Sequence, residues 1–127
     1  MEMRVERIIH PAGFGAFCTE RFFDGHIFFN MVYDCGSTSK EYGNVVMNDF
    51  YGYFSGKGII DLLCISHFDE DHINVLRQIL QDPNYVVKGK TTILLPYIAK
   101  TYGVFKEYDD TLANYDLVSK EIDELGI

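Results

Sequence analysis

Hydrophobic and charged residues alternate at the start of the chain. Met1, Met3 and Val5 are separated by single charged residues, and this period of two is typical of a strand with one buried face. Two apolar runs follow, at 16–23 and 27–33, and the Asp-Gly pair between them is a signal for a β-hairpin. The first third of the chain is therefore predicted to be an antiparallel meander.

Helical spacing begins after residue 38. Apolar residues recur there every three or four positions behind a capping-box spacing, which predicts a helix over about 39–54. A nearly continuous apolar run at 59–65 is typical of a strand buried on both faces, and a further strand is predicted at 91–95. The helix predicted between these strands ends at 82–84 and carries on one face Ile73, Leu76, Ile79 and Leu80.

The last segment is predicted to be an amphipathic helix over about 111–125. The residues expected to face inward are Tyr115, Val118, Ile122 and Leu125. The residues expected to face outward are Asp116, Lys120, Asp123 and Glu124.

Composition narrows the class of protein. The 127 residues carry 19 acidic and 11 basic side chains, a formal net charge of -8, and this length is typical of a single soluble globular domain, here 1–127. Neither a run of about 18 apolar residues nor a signal-peptide core is present, so a cytoplasmic protein without a membrane partner is expected. The acidic balance disfavours nucleic acid as a partner, although bound cations would still admit a phosphate substrate.

The isolated cysteines and histidines carry little chemistry by themselves. Cys18, Cys35 and Cys64 are odd in number and form no C-x-x-C pair, which favours reduced thiols over a disulfide framework or a zinc ribbon. Cys35 is expected to pack inertly in the core. His10 and His26 lie in predicted turns, where histidines are expected to be exposed.

One segment concentrates residues that bind metals. Residues 66–72 read Ser-His-Phe-Asp-Glu-Asp-His and lie where the apolar run gives way to a helix. His67, Asp69, Asp71 and His72 can converge because a strand end is rigid and the loop after it can fold its side chains inward. Imidazole and carboxylate together suit zinc, manganese or iron, and a cation would relieve the repulsion among the adjacent carboxylates.

The alternative interpretation is a solvated acidic loop in which Asp71 stabilises the helix N-terminus. That interpretation does not account for both histidines or for the hydrophobic strand before them. A calcium loop is excluded because Asn74 and Leu80 stand where it needs Gly and Glu.

The pattern His67-x-Asp69-x-Asp71-His72, after the apolar run and after Asp34-Cys35-Gly36 further back, resembles the metallo-β-lactamase superfamily. Asp69 replaces the second His of the usual H-x-H-x-D-H signature. With a G-x-G turn at 13–15, the chain looks most like the branch containing the hydrolase domain of the DNA-uptake protein ComEC. The resemblance covers roughly 1–98 and implies an α/β fold that is half of an αββα sandwich, with a mixed or antiparallel sheet and helices on one face.

The resemblance also implies a chemistry. His67 and Asp69 would contribute to one metal site, Asp71 and His72 to a second, and one or two zinc or manganese ions would activate a water that Asp71 orients as the catalytic residue. Asp34 would hold a metal ligand or the motif loop from behind. The substrate would be a phosphodiester or related ester, or another small molecule.

The chain departs from the family after the motif. The family completes its sites with further histidines and a bridging Asp, whereas the 55 residues after His72 contain no His and no Cys. Asp109, Asp110 and Asp116 could supply carboxylates, but such residues on an amphipathic helix usually face solvent. Asn74 stands where that branch usually has Gly.

Two hypotheses follow from the sequence. In the first, the chain is a metal-dependent hydrolase, and 1–127 is the N-terminal part of its domain. In the second, it is a non-catalytic half-domain or a binding module whose metal site is incomplete or is completed by another chain. A missing C-terminal half or a homo-oligomer is expected because half a sandwich leaves a sheet face or edge exposed.

Overall fold

The computed structural model of this chain describes residues 2–12, 15–37, 40–68, 73–96 and 106–126. Its elements are, in chain order, β1 Arg4–Ile9, β2 Phe17–Phe23, β3 Phe28–Cys35, α1 Lys40–Phe54, β4 Leu62–Cys64, α2 Leu76–Leu80, β5 Thr92–Leu94 and α3 Lys106–Leu125. The strands form one mixed sheet in the order β1-β2-β3-β4-β5. The described part of the chain is therefore an α/β fold with a five-stranded sheet and three helices.

The predicted antiparallel meander is confirmed. Strands β1, β2 and β3 pair antiparallel in sequence order, with Val5 opposite Phe22 and Phe22 opposite Phe29. Aromatic cross-strand pairs support it, since the Phe23 and Phe28 rings stack with centroids 4.4 Å apart. The helix predicted at 39–54 is also confirmed, as α1.

The strand predicted at 59–65 is shorter than expected, because only β4 joins the ladder, parallel to β3 and to β5. The backbone just before β4 forms hydrogen bonds outside the strand ladder. The Ile60 N–H donates to the Tyr85 carbonyl at 2.7 Å. The Asn30 side-chain amide donates to the Ile59 carbonyl at 2.8 Å, and the Asp61 carboxylate accepts the Asn30 N–H at 2.7 Å. These bonds satisfy the backbone of 59–61 outside a regular strand, so the hydrophobicity of this segment reflects burial of an irregular loop.

The helices cover one face of the sheet. On α1, Phe50 is fully buried between Phe17 of β2, at 5.3 Å between ring centroids, and Phe54, at 5.1 Å. Val32 and Leu63, neighbours across β3 and β4, are fully buried in the same core. The core thus lies between the sheet and the helices.

The other face of the sheet carries large apolar side chains that no described helix covers. We call it the open face and divide it into three rows that run across the strands. The upper row is Ile9, Cys18, Tyr33, Cys64 and Leu94; the middle row is Arg7, Glu20, Met31, Leu62 and Thr92; the lower row is Val5, Phe22 and Phe29. Several members are substantially exposed, and Ile9 reaches 80%. The expectation that β4 is buried on both faces holds at Leu63 and Cys64, which lie on opposite faces and are both buried, but Leu62 is only partly covered.

The last helix begins earlier than predicted, at Lys106, and ends at Leu125. Val118 is buried and Tyr115 and Ile122 pack against the core, but Leu125 is exposed, contrary to expectation. All four residues predicted to face outward are exposed: Asp116, Lys120, Asp123 and Glu124. Within the described ranges, no helix has the length and hydrophobicity to cross a membrane.

His10 is buried, so the expectation of an exposed turn histidine is wrong at this position. Its Nδ1 lies 2.8 Å from the Asp49 carboxylate on α1, and its Nε2 lies 2.6 Å from the hydroxyl of the fully buried Thr19. Burial lowers the pKa of the His10 imidazole, while Asp49 acts in the opposite direction. The imidazole therefore joins β1 to the helical layer. His26 is exposed, as predicted.

We predict that acid weakens the fold through His10. Because the pKa of His10 is lower in the folded chain, the unfolded chain binds the proton first as the pH falls below the ordinary value of about 6.5. The free energy of unfolding should then fall between neutral pH and the folded-state pKa. Urea titrations at several pH values should show a weaker pH dependence for His10→Gln than for the wild type, with His26→Gln as the matched control. An unchanged pH dependence in His10→Gln would contradict the prediction.

Candidate functional site

The candidate site lies where β3 and β4 end. These strands are parallel, so their carboxyl ends meet at the same edge of the sheet, as the Tyr33 to Cys64 pairing shows. Asp34 is the penultimate residue of β3, and Ser66 and His67 lie two and three residues after the end of β4. Crevices at the carboxyl ends of parallel strands are common places for ligands in α/β proteins.

Asp34 has an unusual backbone. Its φ is 60°, and it is the one non-glycine residue with positive φ in the described part of the chain. The β2 to β3 register shifts at this point, because Phe17 pairs with Cys35 and Cys18 pairs with Tyr33. This bulge leaves Asp34 unopposed on the ladder and turns its side chain inward, where the residue is 1% exposed. Such strained positions cluster at functional sites.

The Asp34 carboxylate binds Ser66 through both oxygens. The Ser66 N–H donates to Oδ1 at 2.7 Å, and the Ser66 hydroxyl donates to Oδ2 at 2.5 Å. The same hydroxyl oxygen lies 2.9 Å from Nδ1 of His67. Asp34, Ser66 and His67 therefore form a hydrogen-bonded relay from the buried interior to the exposed first residue of the motif.

The relay sets the tautomer of His67. A serine hydroxyl has one proton, and the carboxylate of Asp34 is an acceptor, so the Ser66 proton points to Asp34. Its oxygen must then accept from Nδ1–H of His67. In the neutral ring, the lone pair is consequently on Nε2, which is the arrangement of a histidine that binds a metal through Nε2.

The far end of the motif is fixed to the end of β3. The Ser37 N–H donates to the Asn74 side-chain oxygen at 2.8 Å, and the Asn74 amide donates to the Ser37 carbonyl at 3.0 Å. The N–H of Val75 donates to the Cys35 carbonyl at 3.0 Å. The segment between Ser66 and Asn74 is therefore held at both ends against the same strand.

A third contact holds the motif from the side of α3. Phe68 is 1% exposed, and its ring meets the Tyr115 ring edge-on with centroids 5.2 Å apart. The Asn114 side-chain amide donates to the Phe68 carbonyl at 2.6 Å. The buried Phe68 thus anchors the loop while the preceding His67 remains exposed.

The thiols near the site lie where burial disfavours the reactive thiolate form. Cys35 is fully buried, and burial raises the pKa of its thiol well above the usual range, with Asp34 acting in the same direction. Burial also raises the pKa of Cys64. The described cysteines are all free thiols, as predicted, and a protonated thiol is a poor nucleophile.

Of the predicted site residues, the structure describes Asp34 and His67 and joins them through Ser66. Asp69, Asp71 and His72 lie outside the described residues. Within the described ranges, no group of three His, Cys, Asp or Glu side chains could hold a metal ion. The described residues alone therefore supply one imidazole of the predicted set.

The other carboxylates have different surroundings. Asp116 is exposed on α3, as is usual for a solvated helix face. The side chains of Asp109 and Asp110 lie outside the described part of the chain. The Asp61 carboxylate accepts a hydrogen bond from the backbone N–H of Asn30 on β3.

The sequence by itself indicates no role for Ser66 or for the pair of Ser37 and Asn74. The sequence signal for Ser66 was its position directly before His67. For Asn74, the signal was the departure from the Gly that the resembling branch usually has. In the structure the Asn74 side chain forms hydrogen bonds with the Ser37 backbone, and a glycine at this position could not form them.

A scan against protein-family models gives no match to this chain, and a search of curated proteins finds no relative.

We predict that Asp34 contributes strongly to stability. Asp34→Ala removes the acceptor of two partly buried hydrogen bonds and places at φ 60° a residue that tolerates positive φ less well than Asp does, so it should lower the free energy of unfolding by about 3 kcal/mol. Asp34→Asn keeps an acceptor and tolerates this φ, and should cost about 1 kcal/mol. Urea denaturation measures both, with the exposed Asp116→Ala as control. Equal stability of Asp34→Ala and Asp116→Ala would refute this account.

Proposed function

We propose that this chain is a metal-dependent hydrolase with a metallo-β-lactamase-type fold. The observation that supports it most is the relay from Asp34 through Ser66 to His67, which orients an exposed imidazole with its lone pair on Nε2. Metal-binding histidines characteristically donate their other ring N–H to a hydrogen-bonded partner.

The ligands in this proposal are His67, Asp69, Asp71 and His72, and the cofactor is one or two zinc or manganese ions. Their donor types, imidazole and carboxylate, fit both metals. A divalent ion bound there lowers the pKa of a water molecule toward neutrality and so supplies a nucleophile for hydrolysis. Asp71 is the residue that would orient this water.

The contacts of the described residues support the proposal in a second way. The motif segment is tied down at Ser66 and Asn74 to the end of β3 and at Phe68 to α3. A solvated acidic loop needs no such anchorage, whereas a metal site loses affinity when its ligands are loosely held.

The substrate class that we propose is a phosphodiester or related ester. The chain carries a net charge of -8, so an anionic substrate needs a local cation to approach. Bound divalent ions would provide that charge at the motif while the rest of the surface stays acidic.

We predict that the purified chain binds zinc or manganese and hydrolyses an activated phosphodiester such as bis-p-nitrophenyl phosphate. The His67→Ala/His72→Ala double variant should lose most of the bound metal, measured by elemental analysis, and hydrolysis should fall at least about a hundredfold. The exposed His26→Ala is the matched control, and it should keep both metal and activity.

Equal metal content in the double variant and the wild type would sink the proposal. Metal content that depends on His67 and His72 without hydrolysis would instead favour the second function, a binding module or half-domain whose site is completed by another chain. That alternative is supported by the absence of His and Cys from 73–127.

We predict a positioning role for Ser66. Ser66→Ala removes the hydroxyl between Asp34 and His67, so the imidazole is no longer held in one tautomer. Zinc affinity, measured by competition with a chelating dye, should fall about tenfold to a hundredfold. Ser66→Thr keeps the hydroxyl and should restore most of the affinity, whereas a purely structural role would change stability and leave the affinity of the folded protein unchanged.

A further inference from the structure

A groove is present at the end of the sheet where β2 turns into β3. Its volume is about 460 Å³, which is within the range of pockets that hold small organic ligands. We call it the arginine groove. The side chains that define it come from the three antiparallel strands: Arg4, Glu6, Arg21, Phe23 and Phe28.

The arginine groove lies on the helix-covered face of the sheet. Its residues alternate along β1 and β2 with Val5 and Phe22 of the open face, and successive side chains of a strand point to opposite faces. Phe28 and Asp34 lie toward opposite ends of β3, about 20 Å apart. The arginine groove is therefore separate from the candidate metal site.

The charge of Arg21 is buried without a counter-ion. The residue is 8% exposed, its Nε donates to the Asn30 side-chain oxygen at 2.9 Å, and its Nη2 lies 3.5 Å from the Lys57 carbonyl. Its guanidinium carbon lies 4.0 Å from the centroid of the Phe28 ring. These partners are neutral, and the guanidinium forms no ion pair with any described carboxylate. A buried charge without an opposite charge is costly, so an anion in the groove would relieve that cost.

A second arginine lies next to Arg21. Arg4 is a diagonal neighbour of Arg21 across β1 and β2, because Phe23 stands opposite Arg4, and diagonal neighbours are about 7–8 Å apart. The guanidinium carbon of Arg4 lies 4.9 Å from the centroid of the Phe23 ring. A guanidinium placed over a ring keeps its N–H edge for an acceptor. Two arginines that are each held over a ring can therefore reach one ligand.

The surroundings of the arginine groove are positive, although the chain has a formal net charge of -8. Lys57 adds a third cation beside Arg4 and Arg21, because its ammonium lies 4.0 Å from the centroid of the Tyr53 ring. The carboxylate there is that of Glu6, and it accepts a hydrogen bond from the Tyr53 hydroxyl. The local excess of positive charge attracts an anion to this end of the sheet.

We propose that the arginine groove is a second ligand site, which binds a small organic phosphate monoester. Such a ligand carries close to two negative charges at neutral pH, which matches the three cations and one carboxylate around the groove. Its three terminal oxygens can accept hydrogen bonds from both arginines, whereas a carboxylate has a single charge and two oxygens. The phenyl rings offer an apolar wall to the organic part of the ligand. The proposal does not depend on the metal site.

Phenylphosphonate is a suitable probe, because it carries the charge of a phosphate monoester and has no ester bond to hydrolyse. In NMR titrations of the wild type, the chemical shifts that it changes should cluster around Phe23 and Phe28. The His67→Ala/His72→Ala variant should bind it with unchanged affinity, which separates this site from the metal site. Phenylacetate has a single charge and should bind at least about tenfold more weakly.

Matched arginine variants test the residues of the groove. Arg4 is exposed, so Arg4→Gln should leave the protein folded by circular dichroism and weaken phenylphosphonate binding at least about tenfold. Arg7→Gln removes the same charge from the opposite face of the same strand and should leave the affinity unchanged. Arg21→Lys keeps the charge but loses the planar fork, and should weaken binding by a similar factor to Arg4→Gln.

Four results would each overturn the proposal. The first is that phenylphosphonate does not bind at millimolar concentration, and the second is that its shifts cluster around His67. The third is that phenylacetate binds as tightly as phenylphosphonate. The fourth is that Arg4→Gln and Arg7→Gln have the same affinity, since binding would then follow net charge alone.

Discussion

Burying a carboxylate costs free energy unless hydrogen-bond donors satisfy its oxygens. For the buried Asp34, this requirement determines how the ends of β3 and β4 are joined. Ser66 supplies a donor to each oxygen, which ties the end of β4 to the end of β3. The parallel pairing of these strands requires a crossover, and α1 provides it. Gly43 of α1 passes close to the same place, since a Cβ there would lie 3.3 Å from Val75 and 3.4 Å from the Ser37 hydroxyl.

The dependence on Asp34 extends to the chemistry proposed for the site. Asp34 itself is buried and cannot meet a substrate, but its charge sets the direction of the Ser66 proton and hence the tautomer of His67. The strained backbone at φ 60° keeps the carboxylate aimed at Ser66. Asp and Asn tolerate this conformation better than most residues, and of the two only Asp supplies a charge.

Much of the fold was predictable from the sequence because its signals are local. The hairpin between β2 and β3 and the helix α1 depend on turn residues and on periodicity within the segment itself. The extent of β4 was not predictable, because Ile60 is buried under a loop through a bond to the distant Tyr85, and a buried loop has the same hydrophobicity as a buried strand. The burial of His10 was not predictable for a similar reason, since its partners Asp49 and Thr19 come from other elements.

Less of the candidate site could be predicted. Side-chain type indicated His67 as a metal ligand, and only the resemblance indicated Asp34. The links supplied by Ser66 and Asn74 could not be found in this way, because a hydroxyl or an amide acquires its role from whichever backbone folds against it. Such hydrogen bonds between distant segments are properties of the tertiary structure, and one sequence by itself carries no signal for them.

The separation of Asp34 and Ser66 along the chain has a consequence for the order of folding. The meander of β1, β2 and β3 closes through short hairpin loops, whereas the Asp34 to Ser66 contact spans 32 residues and must wait for α1 to cross over. Closing a longer loop costs more conformational entropy, and non-local contacts form more slowly. A partly folded chain that contains only the meander would therefore lack the hydrogen bonds that orient His67, so the site proposed to hold a metal would form only after α1 has crossed over.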